Sequence, residues 1–188
     1  MKKQVIQFRN GIFLAPSRTY GESYMEPIIR KYFGWNKPPT NEYDADAENS
    51  ERVEIKSVKV LKQYKNKKSS LVEQIILQSE KSVLNRLIPF NECMNSDYDC
   101  NVQNVKRDHF DKLLYVMLFE DCLKIFITNT SEINGDNLPN WSDKHGRYDE
   151  LGKSGQFFIK KNNIDWHIKN NLQVTLTGDE VYEIAKKV

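Results

Sequence analysis

Asp44, Glu54 and Lys56 form the pattern D-x9-E-x-K, two carboxylates and one ammonium close together in the chain. Glu54 and Lys56 are two residues apart, so on a strand their side chains leave the same face. A hairpin partner can set Asp44 beside them. Two carboxylates at a sheet edge make a hard-oxygen site suited to magnesium with several waters retained. Phosphodiester hydrolysis uses such an ion to stabilise charge on the phosphate and to lower the pKa of a bound water. A lysine at the same place can hold that water and oppose the growing negative charge. The same residue types also occur on ordinary exposed strands, so the neighbouring elements decide what the spacing is worth.

Two strand-like runs must carry these groups. NEYDADA (41–47) alternates, with Asp44 and Asp46 on one face and Tyr43, Ala45 and Ala47 on the other. Asp46 therefore competes with Asp44 for the place of first aspartate. RVEIKSVKVL (52–61) sets Val53 and Ile55 opposite Glu54 and Lys56, and residues 48–51 suit a hairpin turn. Upstream, apolar residues at Tyr24, Ile28, Ile29, Tyr32 and Phe33 predict a helix over 20–33. Ser23 and Glu26 suggest a capping box, Pro27 fits the first turn, and Gly34 is a stop.

Downstream, 63–70 reads as a basic loop and 71–88 as a helix, with a strand reading of its first half left open. Residues 91–100 look irregular, 101–106 suggest a short strand, and 107–111 a helix start. The runs 112–120 and 122–130 are apolar enough for the centre of a sheet, turning at Asp121. Residues 131–155 read as a long loop, 156–161 as a strand, and 162–170 as a short helix. Thr177 and Glu180 form a capping box for a last helix. The expected class is α/β, a central mixed β-sheet flanked by helices, in a single domain spanning 1–188.

Composition narrows the setting. With 188 residues, 39% apolar and 29% charged, the chain can bury a core without cross-links. A net charge of +2 is too small to identify an acidic partner. The start MKKQVIQFRNGIF lacks the apolar stretch of a signal peptide, and no segment approaches a membrane span, so no membrane partner is expected. Cys93, Cys100 and Cys122, an odd number without close pairing, point to free thiols in a reducing cytoplasm. A zinc site from Cys93, Cys100 and His109 is conceivable, although the spacing matches none of the usual patterns.

The order of elements, and YDADAENSERVEIKS (43–57) above all, resembles the PD-(D/E)XK nuclease superfamily. Within it the likeness is to PvuII-like type II restriction endonucleases, in which an Asp-Ala pair precedes Glu-x-Lys-Ser by the same interval. The resemblance covers residues 20–60. It implies a sheet flanked by helices, magnesium as cofactor and double-stranded DNA as substrate, cut to leave 5′-phosphate ends. It also implies Asp44 and Glu54 as metal ligands, the Ile55 carbonyl as a further ligand, and Lys56 as the residue that orients water. Tyr43 stands where the superfamily often has a proline. The ungapped match favours Asp44 over Asp46.

Further candidates follow from the same comparison. Glu22 or Glu26 could approach the site from the first helix, as an acidic helix residue does in some relatives, or simply favour the helix dipole. Gln103 could lie near the water and Lys106 on a phosphate. Lys59, Lys62, Lys65, Lys67 and Lys68 follow Lys56 with Tyr64 interleaved and no acid among them. Such a run neutralises phosphates or merely solvates a loop. In the long loop, Lys144, His145 and Arg147 could contact phosphate or a base edge; His109 and His167 are expected to be structural. A palindromic target would require a symmetric homodimer. The rival readings are a repair, recombination or junction-resolving nuclease of the same superfamily, and a non-catalytic DNA-binding module.

Overall fold

The computed structural model describes residues 2–63, 70–73, 76, 82–145 and 152–188. Helix α1 (Lys2–Leu14) comes first, then a π-helical turn (Thr19–Met25) that runs into α2 (Glu26–Phe33). Strands β1 (Ala45–Asp46), β2 (Arg52–Lys59), β3 (Leu61–Lys62), β4 (Tyr98–Asp99) and β5 (Asn101–Val105) follow. After them come β6 (Lys112–Leu118), β7 (Cys122–Asn129), β8 (Trp141–Ser142), β9 (Gly155–Phe158), α3 (Ile164–Asn171), β10 (Leu172–Thr177) and α4 (Gly178–Ala185). The main sheet has five strands in the order β1-β2-β6-β7-β10. Only β2 and β6 pair in parallel, Val53 with Lys112 through Lys59 with Leu118; the remaining pairs are antiparallel. The protein is thus α/β with a mixed sheet between layers, as its sequence leads one to expect.

Strand alternation builds two cores. Val53 and Ile55 of β2, Leu114 and Val116 of β6, and Leu123 and Ile125 of β7 face Ile12, Phe13, Met25, Ile28, Ile29 and Val181 from the helices. Leu113, Tyr115, Met117 and Phe126 face the other way, onto Val102, Val105, Phe157 and Ile164. That second layer is a three-stranded sheet ordered β5-β9-β8, together with α3. Each such side chain taken out of water stabilises the fold by about 1.5–3 kcal/mol before entropy is set against it. Within this layer Asn171 Nδ2 donates to the Tyr115 hydroxyl (2.9 Å), which is bonded to His167 Nδ1 (2.9 Å). Burial lowers the His167 pKa to about 4, so the ring is neutral and structural.

Several local expectations are corrected. Helix α1 and strand β10 were not foreseen. Residues 83–86 form a 3-10 turn and Leu87 bridges to Leu61, so no α-helix runs through to 88; residues 71–73 and 76 are helical. Helix α2 has no side-chain cap, because the chain enters it already helical and Ser23 lies inside the π-helical turn. Pro27 and Gly34, with φ 73°, take the places foreseen for them. The segment 131–155 is not a bare loop: Ile133 and Leu138 are buried and β8 pairs with β9. Both halves of the Thr177–Glu180 capping box are present.

Gly155 is fixed by its neighbour. A Cβ there would lie 2.0 Å from the Trp141 ring and 2.9 Å from the Ser142 carbonyl oxygen. Gly155→Ala is expected to cost about 1–3 kcal/mol, the usual range for overpacking. Urea unfolding would read this as a lower midpoint at unchanged slope, and an unchanged midpoint would count against the packing.

Candidate active site

The hairpin of β1 and β2 brings Asp44 to Glu54, but not as a regular ladder. Strand β1 is only two residues long, Ala45 pairing with Val53 and Asp46 with Arg52. Asp44 lies in the bend before it, its N–H donating to the Val53 carbonyl (2.9 Å). The Asp44 carboxylate turns onto β2 and accepts the Ile55 N–H at 2.8 Å. A carboxylate, not a backbone carbonyl, therefore caps the edge of β2 at Ile55. On a strand the N–H and C=O of one residue point to the same side, so the Ile55 carbonyl lies along the edge that Asp44 occupies.

Glu54 and Lys56 project from the opposite face to Val53 and Ile55, as alternation requires, and the Lys56 ammonium rests on the Glu54 carboxylate. Their side chains are 12% and 24% exposed, so the pair is only partly solvated. Burial pushes both carboxyls above their ordinary range. For Glu54, Lys56 pulls downward and Asp44 pushes up; for Asp44, the Ile55 N–H, Lys56 and Arg30 pull downward. Burial of both carboxyls, with the charge of Asp44 raising Glu54 further, makes a site that gains by exchanging protons for a cation. Among the described residues no group of three or more His, Cys, Asp or Glu side chains is arranged to hold a metal. Two carboxylates and a carbonyl on one edge nevertheless fit magnesium, which is commonly held by one or two carboxylates and waters.

Asp46 goes elsewhere. Its side chain meets the Tyr43 hydroxyl, and its backbone bridges to Asn36. The strict alternation that put it beside Asp44 fails because Asp44 lies outside the strand. This geometry favours Asp44 as first aspartate.

Two residues of α2 complete the neighbourhood. Arg30 Nη1 donates to the Asp44 carbonyl (2.8 Å) and lies 3.6 Å from the Glu26 carboxylate, both side chains nearly buried. Burial, then the charge of Asp44, raises the Glu26 pKa to about 7. Glu22 is further out, on Arg18 at 2.9 Å. A cleft of about 590 Å³ opens here, lined by Glu22, Glu26, Arg30, Lys37 and Asp44 among others. Arg30 had no distinguishing signal in the sequence; an arginine four residues after a helical glutamate normally marks a solvated pair. Here it fixes the backbone of Asp44. If the site hydrolyses DNA, Arg30→Met is expected to lower the cleavage rate about 10- to 100-fold by misplacing that carboxylate, with DNA affinity unchanged. Steady-state kinetics beside a mobility-shift titration would detect this, and an unaltered rate would remove Arg30 from the site.

The remaining candidates are scattered. Lys59 was expected on phosphate, but its ammonium donates to the carbonyls of Phe13 (2.9 Å) and Ala15 (2.7 Å) and lies 4.7 Å from the Tyr20 ring centre. It closes the end of α1, an effect worth about 0.3–1 kcal/mol. Lys62 is exposed and pairs loosely with Glu92 at 3.7 Å. Gln103, expected on the strand next to β2, is exposed within β5 of the second sheet, since β2 is flanked by β1 and β6; Lys106, just past β5, is exposed too. His109, expected to be structural, lies near enough for its charge to act on Glu54. Cys93 and Cys100 are buried among apolar side chains, and among the described residues they and His109 are not grouped to hold a metal; none of the three cysteines is in a disulfide. Lys144 is half-buried, its N–H meeting the Ser142 hydroxyl at 3.4 Å, and His145 is half-buried next to it. Lys65, Lys67, Lys68 and Arg147 lie outside the described residues. Among the described residues no helix is long and apolar enough to cross a membrane.

Comparison with known proteins gives no match, either to a family model or to a curated protein.

Proposed function

We propose that this chain is a magnesium-dependent endonuclease that hydrolyses phosphodiesters of double-stranded DNA, acting as a type II restriction enzyme in the cytoplasm. The observation that carries the reading is the meeting of Asp44, Glu54 and Lys56 at one edge of β2, with Asp44 held on the Ile55 N–H. The likeness of residues 20–60 to the PD-(D/E)XK nucleases supports the same assignment. Bound magnesium would supply charge stabilisation at the phosphate and a more acidic water. Asp44, Glu54 and the Ile55 carbonyl would hold it. The Lys56 ammonium would hydrogen-bond the attacking water and oppose charge developing on the phosphoryl oxygens. Arg30 keeps Asp44 in place throughout.

One such site cuts one strand, so a double-strand break at a palindrome calls for a symmetric homodimer. Plasmid digestion with magnesium, and with chelator as control, tests the proposal. Discrete bands that vanish with chelator support it. Nicking confined to branched DNA would move the reading to a junction-resolving nuclease, and intact DNA despite binding would leave a binding module.

A further inference from the structure

We propose that Lys37 holds a phosphate of the substrate strand, beside the one that is cut, from the wall of the cleft that Asp44 also lines. The segment that carries it leaves α2 along a path fixed by its neighbours. The Trp35 N–H donates to the Arg30 carbonyl (2.9 Å), and the Trp35 ring stacks on Phe33 with centres 4.4 Å apart. Asn36 and Asp46 exchange backbone hydrogen bonds of 3.1 and 3.0 Å, which ties the segment to β1. Pro38 is buried, and a residue before proline is kept extended. Lys37 therefore stands between two anchored neighbours, Asn36 being bonded two residues past Asp44. Its exposed side chain lines the cleft of about 590 Å³.

Charge pairing singles it out. Among the described residues, the cations of this cleft are Arg18, Arg30 and Lys37, and its carboxylates are Glu22, Glu26 and Asp44. Arg18 is held by Glu22 at 2.9 Å. Arg30 lies 3.6 Å from Glu26 and donates to the Asp44 carbonyl at 2.8 Å. The Asp44 carboxylate accepts the Ile55 N–H and, in the proposed mechanism, would hold magnesium. Among the described residues Lys37 alone of these cations makes no ion pair. An ammonium donates and never accepts, so its charge and its hydrogens both select an anion.

The choice of a DNA phosphate among anions rests on the nuclease reading above. A strand whose cut phosphate lies at Asp44 and Glu54 carries further phosphates on either side, and a lysine on the cleft wall neutralises one of them. The Thr40 hydroxyl and the Asn41 amide, lining the same cleft, offer neutral donors to that backbone.

Titration of a short labelled duplex with the full chain in chelator, repeated over a series of salt concentrations, tests the proposal, and cleavage in magnesium is measured on the same preparations. Lys37→Ala is expected to weaken binding about 5- to 10-fold at low salt. The slope of log affinity against log salt should shrink by about 0.9, the value for one phosphate contact. In cleavage the change should fall on KM, with kcat lowered less than about threefold. Lys37→Arg keeps the charge and should restore both affinity and slope. Lys31→Ala, at an exposed lysine of α2 outside the cleft, should alter neither. Equal affinity and slope in Lys37→Ala, with cleavage by the parent, would remove the contact and leave the nuclease reading standing. The expected weakening in a parent that binds but does not cleave would keep the contact and remove the nuclease. An equal loss in Lys31→Ala would overturn the contact as a diffuse effect of surface charge, and a parent that does not bind DNA would overturn both.

Discussion

Glu54→Ala and Lys56→Ala are each expected to reduce DNA cleavage at least about 10³-fold while leaving DNA affinity nearly unchanged. Three decades in rate correspond to about 4 kcal/mol of transition-state stabilisation. Removal of a single preorganised charge or donor commonly costs that much in a partly dry site. Glu54 is 12% exposed and Lys56 24%, so water substitutes poorly for either. In the proposed mechanism the two would act on the same phosphoryl centre, and the double variant should therefore be hardly worse than the worse single one. Glu54→Gln keeps the shape and removes the charge, and should match Glu54→Ala in rate while disturbing the fold less. Asp46→Asn provides the contrast: its side chain is engaged by Tyr43, and activity should survive. Single-turnover cleavage with a mobility-shift titration on the same preparations measures both quantities. Full activity in Glu54→Ala or Lys56→Ala would sink the assignment.

Glu26→Gln is expected to stabilise the metal-free protein at alkaline pH, by on the order of 3 kcal/mol near pH 8.5. The carboxyl of Glu26 rises from an ordinary 4.5 to about 7, and its side chain is only 15% exposed. The folded protein therefore binds this proton more tightly than the unfolded chain does. Its contribution is fully present below about pH 4.5 and is lost as the pH climbs through about 7. At 1.36 kcal/mol per pKa unit the loss reaches on the order of 3 kcal/mol. Glutamine keeps the neutral form at every pH, so the variant and the parent should coincide in acid and diverge in alkali. Asp44 and Glu54 titrate in the same cluster, which is why the difference between the two proteins, and not the slope of either, isolates Glu26. Urea unfolding in chelator across this range measures it. Parallel curves for the two proteins would mean that Glu26 is ordinarily ionised in the fold.

The arrangement of the candidate site was legible where it depended on short-range geometry. Two residues apart on a strand is enough to pair Glu54 with Lys56, and a short connection is enough to return Asp44 to them. The Arg30 contact was not legible, since it depends on how α2 leans on the hairpin. Lys59 shows a different failure. It shares strand parity with Val53, Ile55 and Ser57, and therefore faces the helices; alternation could have removed it from the basic run. Strand β10 carries Leu172, Val174 and Leu176 at alternate positions, a signal present but short. Helix α1 carries Gly11 in its last turn and polar residues between its apolar ones. It owes its order to Phe13, fully buried, and Ile12, 5% exposed, a tertiary effect that local propensity does not contain.

Strand β2 carries the proposed active site, yet the parallel neighbour that completes its hydrogen bonding, β6, comes about sixty residues later in the chain. Pairings so distant in sequence form slowly. At about 5–20 residues per second, synthesis from Lys59 to Leu118 takes roughly 3–12 s. For that interval the ribosome holds a chain that already contains Asp44, Glu54 and Lys56 but no sheet to set them in. Any activity of the proposed site begins only after β6 has emerged and docked, and a product terminated before Lys112 would carry Asp44, Glu54 and Lys56 without the sheet that positions them.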